Sequence, residues 1–406
     1  MISSNKNTVV CLCLAVFSLS LASPIQNRYT PEGGLCRDYD IPVTVTSKNY
    51  PWIAPKWSDN FGFVDLLSAG ATRSTANFPL PLGAPESQTA SHQISGTFCR
   101  PKKQGKCSKT VLLATHGLGF DRSYWNSPYK SEKYNFAEYA LARGYSIFYY
   151  DRLGVGRSSK YVTTASIPFR TSSNSQTRIS GFDNQLSIQV AILSALTDSI
   201  RQGHYTDTLG IPTSIVLVGH SFGSYVSSAL AAIESSIADA IVLTGYSLSG
   251  GDARVVLEGF GPRVANLQGS DVFCDFDSGY LTTVDIFASI NNFYKAPLYE
   301  HDVAEFAEKT KQPFAIAEAL TLPLAPTNIE ESNFTSPALV ISGEFDFIVC
   351  GGYCPGVLEE PAKQMYANSR HFESYSQPGT GHALNLAKNA TGSFDVIFGF
   401  LEKNGL

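Results

Sequence analysis

The sequence predicts an α/β fold in which helices cover both faces of a mostly parallel sheet. Short apolar runs rich in β-branched residues recur from about residue 110 onward, stretches of helical periodicity separate them, and Gly, Asp or Ser bounds each run. Continuous apolar runs are typical of strands buried on both faces, and strands that alternate with helices indicate a parallel sheet.

Residues 1–22 have the pattern of a secretory signal peptide. A single charge, Lys6, precedes an uncharged apolar run over Val9–Leu21. That run is shorter than the roughly 20 residues that span a bilayer, so cleavage after Ala22 is favoured over a membrane anchor. We therefore expect a secreted protein with no stable membrane anchor after cleavage, in which the sequons at Asn333 and Asn389 are candidates for glycosylation.

Six cysteines remain after cleavage, and an even number in an oxidising compartment predicts disulfides. Six cysteines allow fifteen sets of three disulfides. Two pairs of cysteines are close enough in the sequence to close small loops, and the two cysteines that remain would then form the third bridge. A zinc site at the last two cysteines is less favoured, because no second ligand pair follows at zinc spacing. The expected bridges join Cys99 with Cys107, Cys350 with Cys354, and Cys36 with Cys274.

The composition excludes two classes of protein. Apolar residues make up 43% of the chain and charged residues 16%, which excludes disorder for most of it. The net charge is −5, and the only basic cluster, between Lys102 and Lys109, is interrupted by other residues. Because a nucleic-acid binder needs a basic face, we expect no nucleic-acid partner.

The N-terminal extension, residues 23–109, is rich in Pro, Gly, Ser and Thr. Alternating patterns over Ile41–Thr46 and Gln93–Arg100 predict antiparallel strands at one edge of the sheet. We expect this segment to lead into the sheet and not to form a separate catalytic unit.

The core is predicted to comprise residues 110–247 and 337–406. Its strands are predicted at Val111–Thr115, Tyr145–Tyr150, Ser214–Val218, Ala240–Thr244, Ala338–Ser342 and Phe372–Ser376. Its helices are predicted at Ser131–Arg143, Asn184–Gln202, Ser221–Ser236 and Ser393–Lys403.

Residues 248–336 separate two core strands by far more chain than a simple crossover needs. This length predicts an inserted helical cap, with an amphipathic helix over Asp302–Lys311.

The strongest chemical signal is the motif GHSFG at 219–223, between a predicted strand and a predicted helix. A serine on so tight a turn needs small residues on both sides, which Gly219 and Gly223 supply, and the turn lifts its hydroxyl above the carboxyl edge of the sheet. Ser221 is therefore the candidate nucleophile; the alternative is a glycine-rich turn with an incidental serine.

A serine hydroxyl needs a base and an orienting carboxylate, and both follow in the order Ser, Asp, His. His382 lies in a glycine-lined loop after the last predicted strand. His116 and His220 belong to other motifs, and the remaining histidines have no glycine-bounded loop at a strand end. Asp346 follows the strand over Ala338–Ser342, with Glu344 as the nearest rival and a plain surface-loop acid as the alternative.

The negative oxygen of a tetrahedral intermediate needs preset donors. The backbone N–H of Phe222 is one candidate, and the N–H of Leu118, in the glycine-containing loop after the first core strand, is the other. We expect the neighbouring His116 to pack as a structural hydrogen-bonding group. The glycine loop at 151–158 lacks a nucleotide-binding spacing and is not expected to bind phosphate.

Taken together, these residues resemble the α/β-hydrolase superfamily from about Thr110 to the C-terminus. The matching segments are HGLGF at 116–120, DRLGVGRS at 151–158, GHSFG at 219–223, GEFD at 343–346 and GTGHALN at 379–385. The resemblance implies an eight-stranded, mostly parallel sheet, a cap over the pocket, no cofactor, and a triad of Ser221, Asp346 and His382. The signal peptide, the cysteines and the long extension resemble secreted fungal members.

The functional hypothesis is a secreted serine hydrolase that cleaves a carboxylic ester or lactone through an acyl-enzyme. Seven cap aromatics favour an apolar or aromatic substrate, unless they only hold the cap on the core: Phe260, Phe273, Phe276, Tyr280, Phe287, Phe293 and Tyr294. One alternative is an aminopeptidase-like amide hydrolase with a cap carboxylate such as Glu258, Glu300 or Glu305. The other is a hydrolase-like accessory protein without hydrolytic activity.

Overall fold

The computed structural model describes residues 29–71, 80–158, 179–248, 253–270, 272–324 and 333–406. The predicted signal peptide lies outside these ranges. The strands, in chain order, are β1 (Gly34–Asn49), β2 (Glu86–Pro101), β3 (Thr110–Thr115), β4 (Ser146–Tyr150), β5 (Ser214–His220), β6 (Ala240–Thr244), β7 (Arg263–Val264), β8 (Tyr280–Thr282), β9 (Phe314–Ala315), β10 (Ala338–Gly343) and β11 (Phe372–Gln377).

Eight of these strands form one sheet in the order β1-β2-β4-β3-β5-β6-β10-β11. Within this sheet, the six strands β4, β3, β5, β6, β10 and β11 pair in parallel. The two strands β1 and β2 are antiparallel to their neighbours. Every residue of β3, β4, β6 and β10 is buried. The predicted eight-stranded, mostly parallel sheet is therefore confirmed.

The helices pack around this sheet. In chain order they are α1 (Asn60–Ala71), α2 (Ser131–Tyr134), α3 (Phe136–Ala142), α4 (Leu186–Arg201), α5 (Phe222–Ile233), α6 (Ala253–Phe260), α7 (Ile286–Phe293), α8 (His301–Thr310), α9 (Ile316–Thr321), α10 (Phe347–Cys350), α11 (Glu360–Met365) and α12 (Ala390–Lys403). None of them is both long and apolar enough to span a bilayer.

One predicted helix is divided in two. Asn135 adopts an extended conformation between α2 and α3, and its side chain accepts a hydrogen bond from the Glu138 amide at 2.8 Å. An asparagine that caps a helix in this way begins a new helix, so the single helix predicted over Ser131–Arg143 was wrong.

The two edge strands are much longer than predicted. β1 and β2 pair over 16 residues each, and polar side chains link them beyond the predicted segments, such as Asn49, whose Nδ2 donates to Oε1 of Gln88 at 3.2 Å. Because neither face is apolar there, the alternation that marks a half-buried strand is absent.

The cap between β6 and β10 contains a small sheet as well as helices. Strands β7, β8 and β9 form an antiparallel sheet beside α6 to α9. The helix α8 agrees with the predicted amphipathic helix to one residue at each end. The predicted helical cap therefore also contains a small antiparallel sheet.

The disulfide pairing was predicted only in part. Cys350 bonds to Cys354 as expected, but Cys99 bonds to Cys36. These two residues lie directly opposite each other in the ladder of β1 and β2. Cross-strand register, and not closeness in sequence, selects this pair, so the predicted bridges of Cys99 with Cys107 and of Cys36 with Cys274 were wrong.

Candidate active site

Ser221 occupies a strained turn between β5 and α5. Its φ of 52° and ψ of −121° lie where few residues other than glycine are found. The flanking glycines are required by close packing: a Cβ on Gly219 would lie 2.5 Å from the Ser224 Cα, and one on Gly223 would lie 2.2 Å from the Thr115 carbonyl oxygen. This geometry is the strand-to-helix turn that the GHSFG motif predicts.

Thr244, the last residue of β6, holds the turn in place. Its carbonyl oxygen accepts hydrogen bonds from the Ser221 amide and from the Ser224 hydroxyl, both at 2.8 Å. The strained backbone of Ser221 is therefore tied to the neighbouring strand at the carboxyl edge of the sheet.

Asp346 and His382 lie together and are fully buried. Oδ2 of Asp346 is 2.7 Å from Nδ1 of His382, and the amides of Ile348 and Val349 donate to Oδ1 at 2.9 and 3.0 Å. The rival carboxylate, Glu344, instead accepts a hydrogen bond from the Gly379 amide at 3.0 Å. Of the two acids, only Asp346 contacts the histidine.

The other ring nitrogen of His382, Nε2, has no hydrogen-bond partner among the described residues. A histidine whose Nδ1 faces a carboxylate keeps its proton there, which leaves Nε2 as the basic atom. The structure thus brings His382 and Asp346 into contact but forms no hydrogen bond between His382 and Ser221.

Gly245, directly after β6, determines how closely the histidines pack beside Ser221. With φ of +55°, it lies against two imidazoles: a Cβ here would be 2.9 Å from Cε1 of His220 and 3.1 Å from Cε1 of His382. The two rings have their centroids 5.1 Å apart. The sequence analysis did not identify this glycine, because only the fold brings β6 and the His382 loop together.

His220 is held as a neutral ring next to the nucleophile. The Thr244 hydroxyl donates to the Gly219 carbonyl, so it accepts a hydrogen bond from Nδ1 of His220 at 3.1 Å. Tyr124 stacks on the ring at a centroid distance of 4.2 Å. Burial, together with the nearby His382 and His116, lowers the pKa of His220 well below its ordinary value. His220 is therefore a weak base, and its Nδ1 faces a hydroxyl where that of His382 faces the Asp346 carboxylate.

The loop that carries Leu118 contacts the nucleophile turn. A Cβ on Gly117 would lie 2.9 Å from the Cβ of Ser221, so the backbone approaches as closely as glycine allows. Phe222 is the first residue of α5, and its N–H points out of the helix end. Within the described ranges, no hydrogen bond from the Leu118 amide is present. Both predicted oxyanion donors thus lie on the two segments that meet at Ser221.

A cavity lies between this loop and the cap. Its empty volume is about 440 Å³, part of it open to solvent, and its walls include Phe120 and Phe293. The Phe293 ring centroid is 5.8 Å from that of His382, and the Phe120 centroid is 6.1 Å from that of His220. The cavity therefore adjoins the candidate active site.

The cap aromatics have different environments. Phe260, Phe293 and Tyr294 line the cavity. Phe273, Phe276 and Tyr280 pack together in a separate buried cluster, and Phe287 is 74% exposed. Three of the seven aromatics thus line the cavity and the other four do not.

The cap carboxylates proposed for an aminopeptidase-like site are not directed to the cavity. Glu300 binds Lys130 and Lys133, whose ammonium groups lower its pKa to about 2, and Glu258 and Glu305 are exposed. Glu308 does line the cavity, but it pairs with Lys311. Among the described residues, no group of three His, Cys, Asp or Glu side chains is arranged to hold a metal ion.

An eight-stranded, mostly parallel sheet with a sharp strand-to-helix turn at its carboxyl edge defines a protein of the α/β class. Residues 111–391, more than half of the chain, match the sequence model of the Alpha/beta hydrolase family. The chain belongs to that family.

Solved structures resemble this chain at low sequence identity. A thermophilic esterase from Thermogutta terrifontis is 18% identical, with 77% of this chain and 94% of that chain covered and a TM-score of 0.46. A monoacylglycerol lipase from Paleococcus ferrophilus is 11% identical (77% and 99% covered, TM-score 0.48), and an enol-lactonase from Burkholderia xenovorans LB400 is 14% identical (77% and 96% covered, TM-score 0.48). Likeness this distant carries no information about substrate. No curated protein matches the chain in sequence.

Proposed function

We propose that this protein is a secreted serine hydrolase that cleaves a carboxylic ester or lactone through an acyl-enzyme. The single observation that carries the proposal is the buried contact between Asp346 and His382 at 2.7 Å, which leaves the basic Nε2 of His382 without a partner beside the strained turn of Ser221. An orienting acid, a base whose second nitrogen has no partner, and a half-buried serine on a sharp turn are the parts that nucleophilic catalysis needs.

Catalysis begins when the Ser221 Oγ attacks the carbonyl carbon of the substrate and His382 Nε2 takes the hydroxyl proton. The tetrahedral intermediate collapses as the C–O bond to the alcohol breaks, and His382 returns the proton to the leaving oxygen. Water then attacks the acyl-enzyme, with His382 again as base, and releases the acid and the free serine. Asp346 keeps the imidazole in one tautomer and stabilises its cationic form throughout.

The negative oxygen of the intermediate accepts hydrogen bonds from the N–H groups of Leu118 and Phe222. Both amides are backbone groups on segments that contact Ser221, so no side chain has to reorganise during the reaction. The α5 helix also directs the positive end of its dipole toward this oxygen.

The cavity supports an apolar acyl or alcohol group. Its walls include the rings of Phe120, Phe260, Phe293 and Phe314, with Thr283 and Ser289 as neutral polar groups. A pocket of this kind buries a hydrophobic group and orients it with a few hydrogen bonds.

Secretion is supported by the N-terminal sequence and by the two disulfides, which persist in oxidising compartments. Both sequon asparagines, Asn333 and Asn389, are exposed, as glycan attachment requires.

The test combines labelling and turnover. The secreted protein and its Ser221→Ala variant are treated with a fluorophosphonate probe, then assayed on p-nitrophenyl esters of increasing acyl length and on an aminoacyl anilide. Labelling that depends on Ser221, together with ester turnover that the variant loses, is the expected result. Faster turnover of the anilide would favour the amide hydrolase instead. An unlabelled Ser221 in folded protein would contradict the triad and favour an accessory protein without hydrolytic activity.

A further inference from the structure

A buried ion pair connects the cap to the core below the candidate active site. Arg152, in the glycine loop after β4, and Glu318, on α9, are each 1% exposed. Nη1 of Arg152 donates to Oε1 of Glu318, which also accepts from Gln189 Nε2 at 3.0 Å, while Oε2 accepts from the Ala315 amide at 3.1 Å. Removing two charges from water costs about as much free energy as their attraction returns. A purely stabilising role therefore does not explain why this pair is buried here.

The Arg152 guanidinium contacts the Phe222 ring and the peptide group that carries the Leu118 N–H. Its Cζ lies 4.6 Å from the ring centroid of Phe222, and its Nη2 lies 3.4 Å from the carbonyl oxygen of Gly117. The Gly117 carbonyl and the Leu118 N–H belong to one planar trans peptide and point in opposite directions. A group that holds this carbonyl therefore sets the direction of the Leu118 N–H.

His116 supports the same carbonyl from a second side. The Arg152 amide donates to Nε2 of His116 at 3.0 Å, so the ring carries its proton on Nδ1 and donates it to the Gly117 oxygen at 2.9 Å. Burial, together with the Arg152 guanidinium, holds the pKa of His116 well below its ordinary value and keeps the ring neutral. Two donors on one carbonyl also polarise the peptide, which makes its N–H a stronger donor.

We propose that Arg152 is a positioning residue that aims the Leu118 N–H at the oxyanion, and that Glu318 of the cap holds Arg152 in place. This inference rests on the proposed serine-hydrolase function. The glycine loop at 151–158 then has a role other than phosphate binding. The position of α9 also affects the reaction rate, because α9 carries Glu318.

The test uses Glu318→Gln and Arg152→Gln. Only the transition state places a negative charge at the oxyanion, so kcat should fall while KM stays within about twofold. Loss of a whole oxyanion donor costs on the order of 10²–10³ in kcat. A misdirected donor should cost less, so we expect about tenfold for Glu318→Gln and about a hundredfold for Arg152→Gln.

A pair of inhibitors separates positioning from general damage. The Ser221 Oγ adds to the carbonyl carbon of a trifluoromethyl ketone and forms a tetrahedral oxyanion. The matching methyl ketone binds with its carbonyl group unreacted. The affinity for the trifluoromethyl ketone should fall by about the same factor as kcat/KM, and the affinity for the methyl ketone should remain within about twofold. Unchanged kcat and trifluoromethyl ketone affinity in folded variants would overturn the proposal.

Two controls address stability. Arg122→Gln breaks another buried ion pair, with Asp151 at 3.6 Å, and should lower stability while retaining kcat. The double variant Arg152→Met/Glu318→Leu removes both buried charges, so stability should recover while kcat remains low. Recovery of kcat along with stability would mean that the pair is only structural. Failure of the serine-hydrolase function itself would appear in the wild type, as a Ser221 that fluorophosphonate does not label.

Discussion

Replacing Asp346 with asparagine should remove catalysis while leaving the site intact. The amides of Ile348 and Val349, at 2.9 and 3.0 Å, hold one oxygen of this side chain, and an asparagine oxygen can accept both bonds. Its NH₂ group then occupies the other position, 2.7 Å from Nδ1 of His382. Nδ1 must accept from this donor, so the imidazole proton moves to Nε2, which can no longer take a proton from Ser221.

The expected loss is about 10⁴ in kcat, which corresponds to about 5.5 kcal/mol of transition-state stabilisation. The free energy of unfolding should change by only about 1 kcal/mol, since one charge-assisted hydrogen bond becomes a neutral one. The assay is turnover of a p-nitrophenyl ester, with thermal unfolding as the check that the variant is folded.

Glu344→Gln is the matched control, because glutamine can still accept the Gly379 amide, and it should keep kcat within about threefold. Retention of more than a tenth of kcat by Asp346→Asn would refute the reasoning. An equal loss of kcat in Glu344→Gln would show that any change in this loop impairs turnover. Asp346 would then have no specific role in orienting His382.

Three further predictions concern Gly245, Asp121 and the disulfide between Cys36 and Cys99. Gly245→Ala should lower kcat about a hundredfold, because the positive φ is strained for alanine and the new Cβ lies 3.1 Å from His382; wild-type turnover in a folded variant would contradict this. Burial, with a neighbouring carboxylate, raises the pKa of Asp121 to about 6. The folded state favours the neutral carboxyl of Asp121. The stability that this form contributes is therefore fully present below about pH 4 and is lost as the pH rises through 6. The stability of Asp121→Asn relative to wild type in urea unfolding should rise by about 2 kcal/mol from pH 4 to pH 7.5, and a difference independent of pH would refute this. Replacing Cys36 and Cys99 by alanine opens a link across 63 residues and should cost about 4 kcal/mol of unfolding free energy, measured without reductant; a loss below 1 kcal/mol would contradict the pairing.

Local patterns were sufficient for most of the core. The strands predicted from continuous apolar runs agree with β3, β4, β5, β6 and β10 to within two residues at each end. Each run lies in the middle of the sheet, where both faces are buried and every side chain must be apolar. The patterns failed at Asn135 and in the outer halves of β1 and β2, where a cap or polar cross-strand pairs take the place of an apolar pattern.

The order of motifs along the chain was also sufficient to name the candidate site. Ser221, Asp346 and His382 each follow a strand, and the carboxyl ends of parallel strands meet at one edge of the sheet. Their proximity therefore follows from local sequence once a parallel sheet is accepted.

Other features depended on the tertiary structure. Cys36 pairs with Cys99 because strand register places them opposite each other, and Arg152 meets Glu318 across 166 residues of chain. A local pattern reports which face of an element is buried, but not which distant side chain is packed against it. The sequence by itself therefore determined the class of fold and the candidate catalytic residues. The disulfide partner of Cys99 and the ion pair beneath the oxyanion loop were decided only when the folded chain brought distant segments into contact.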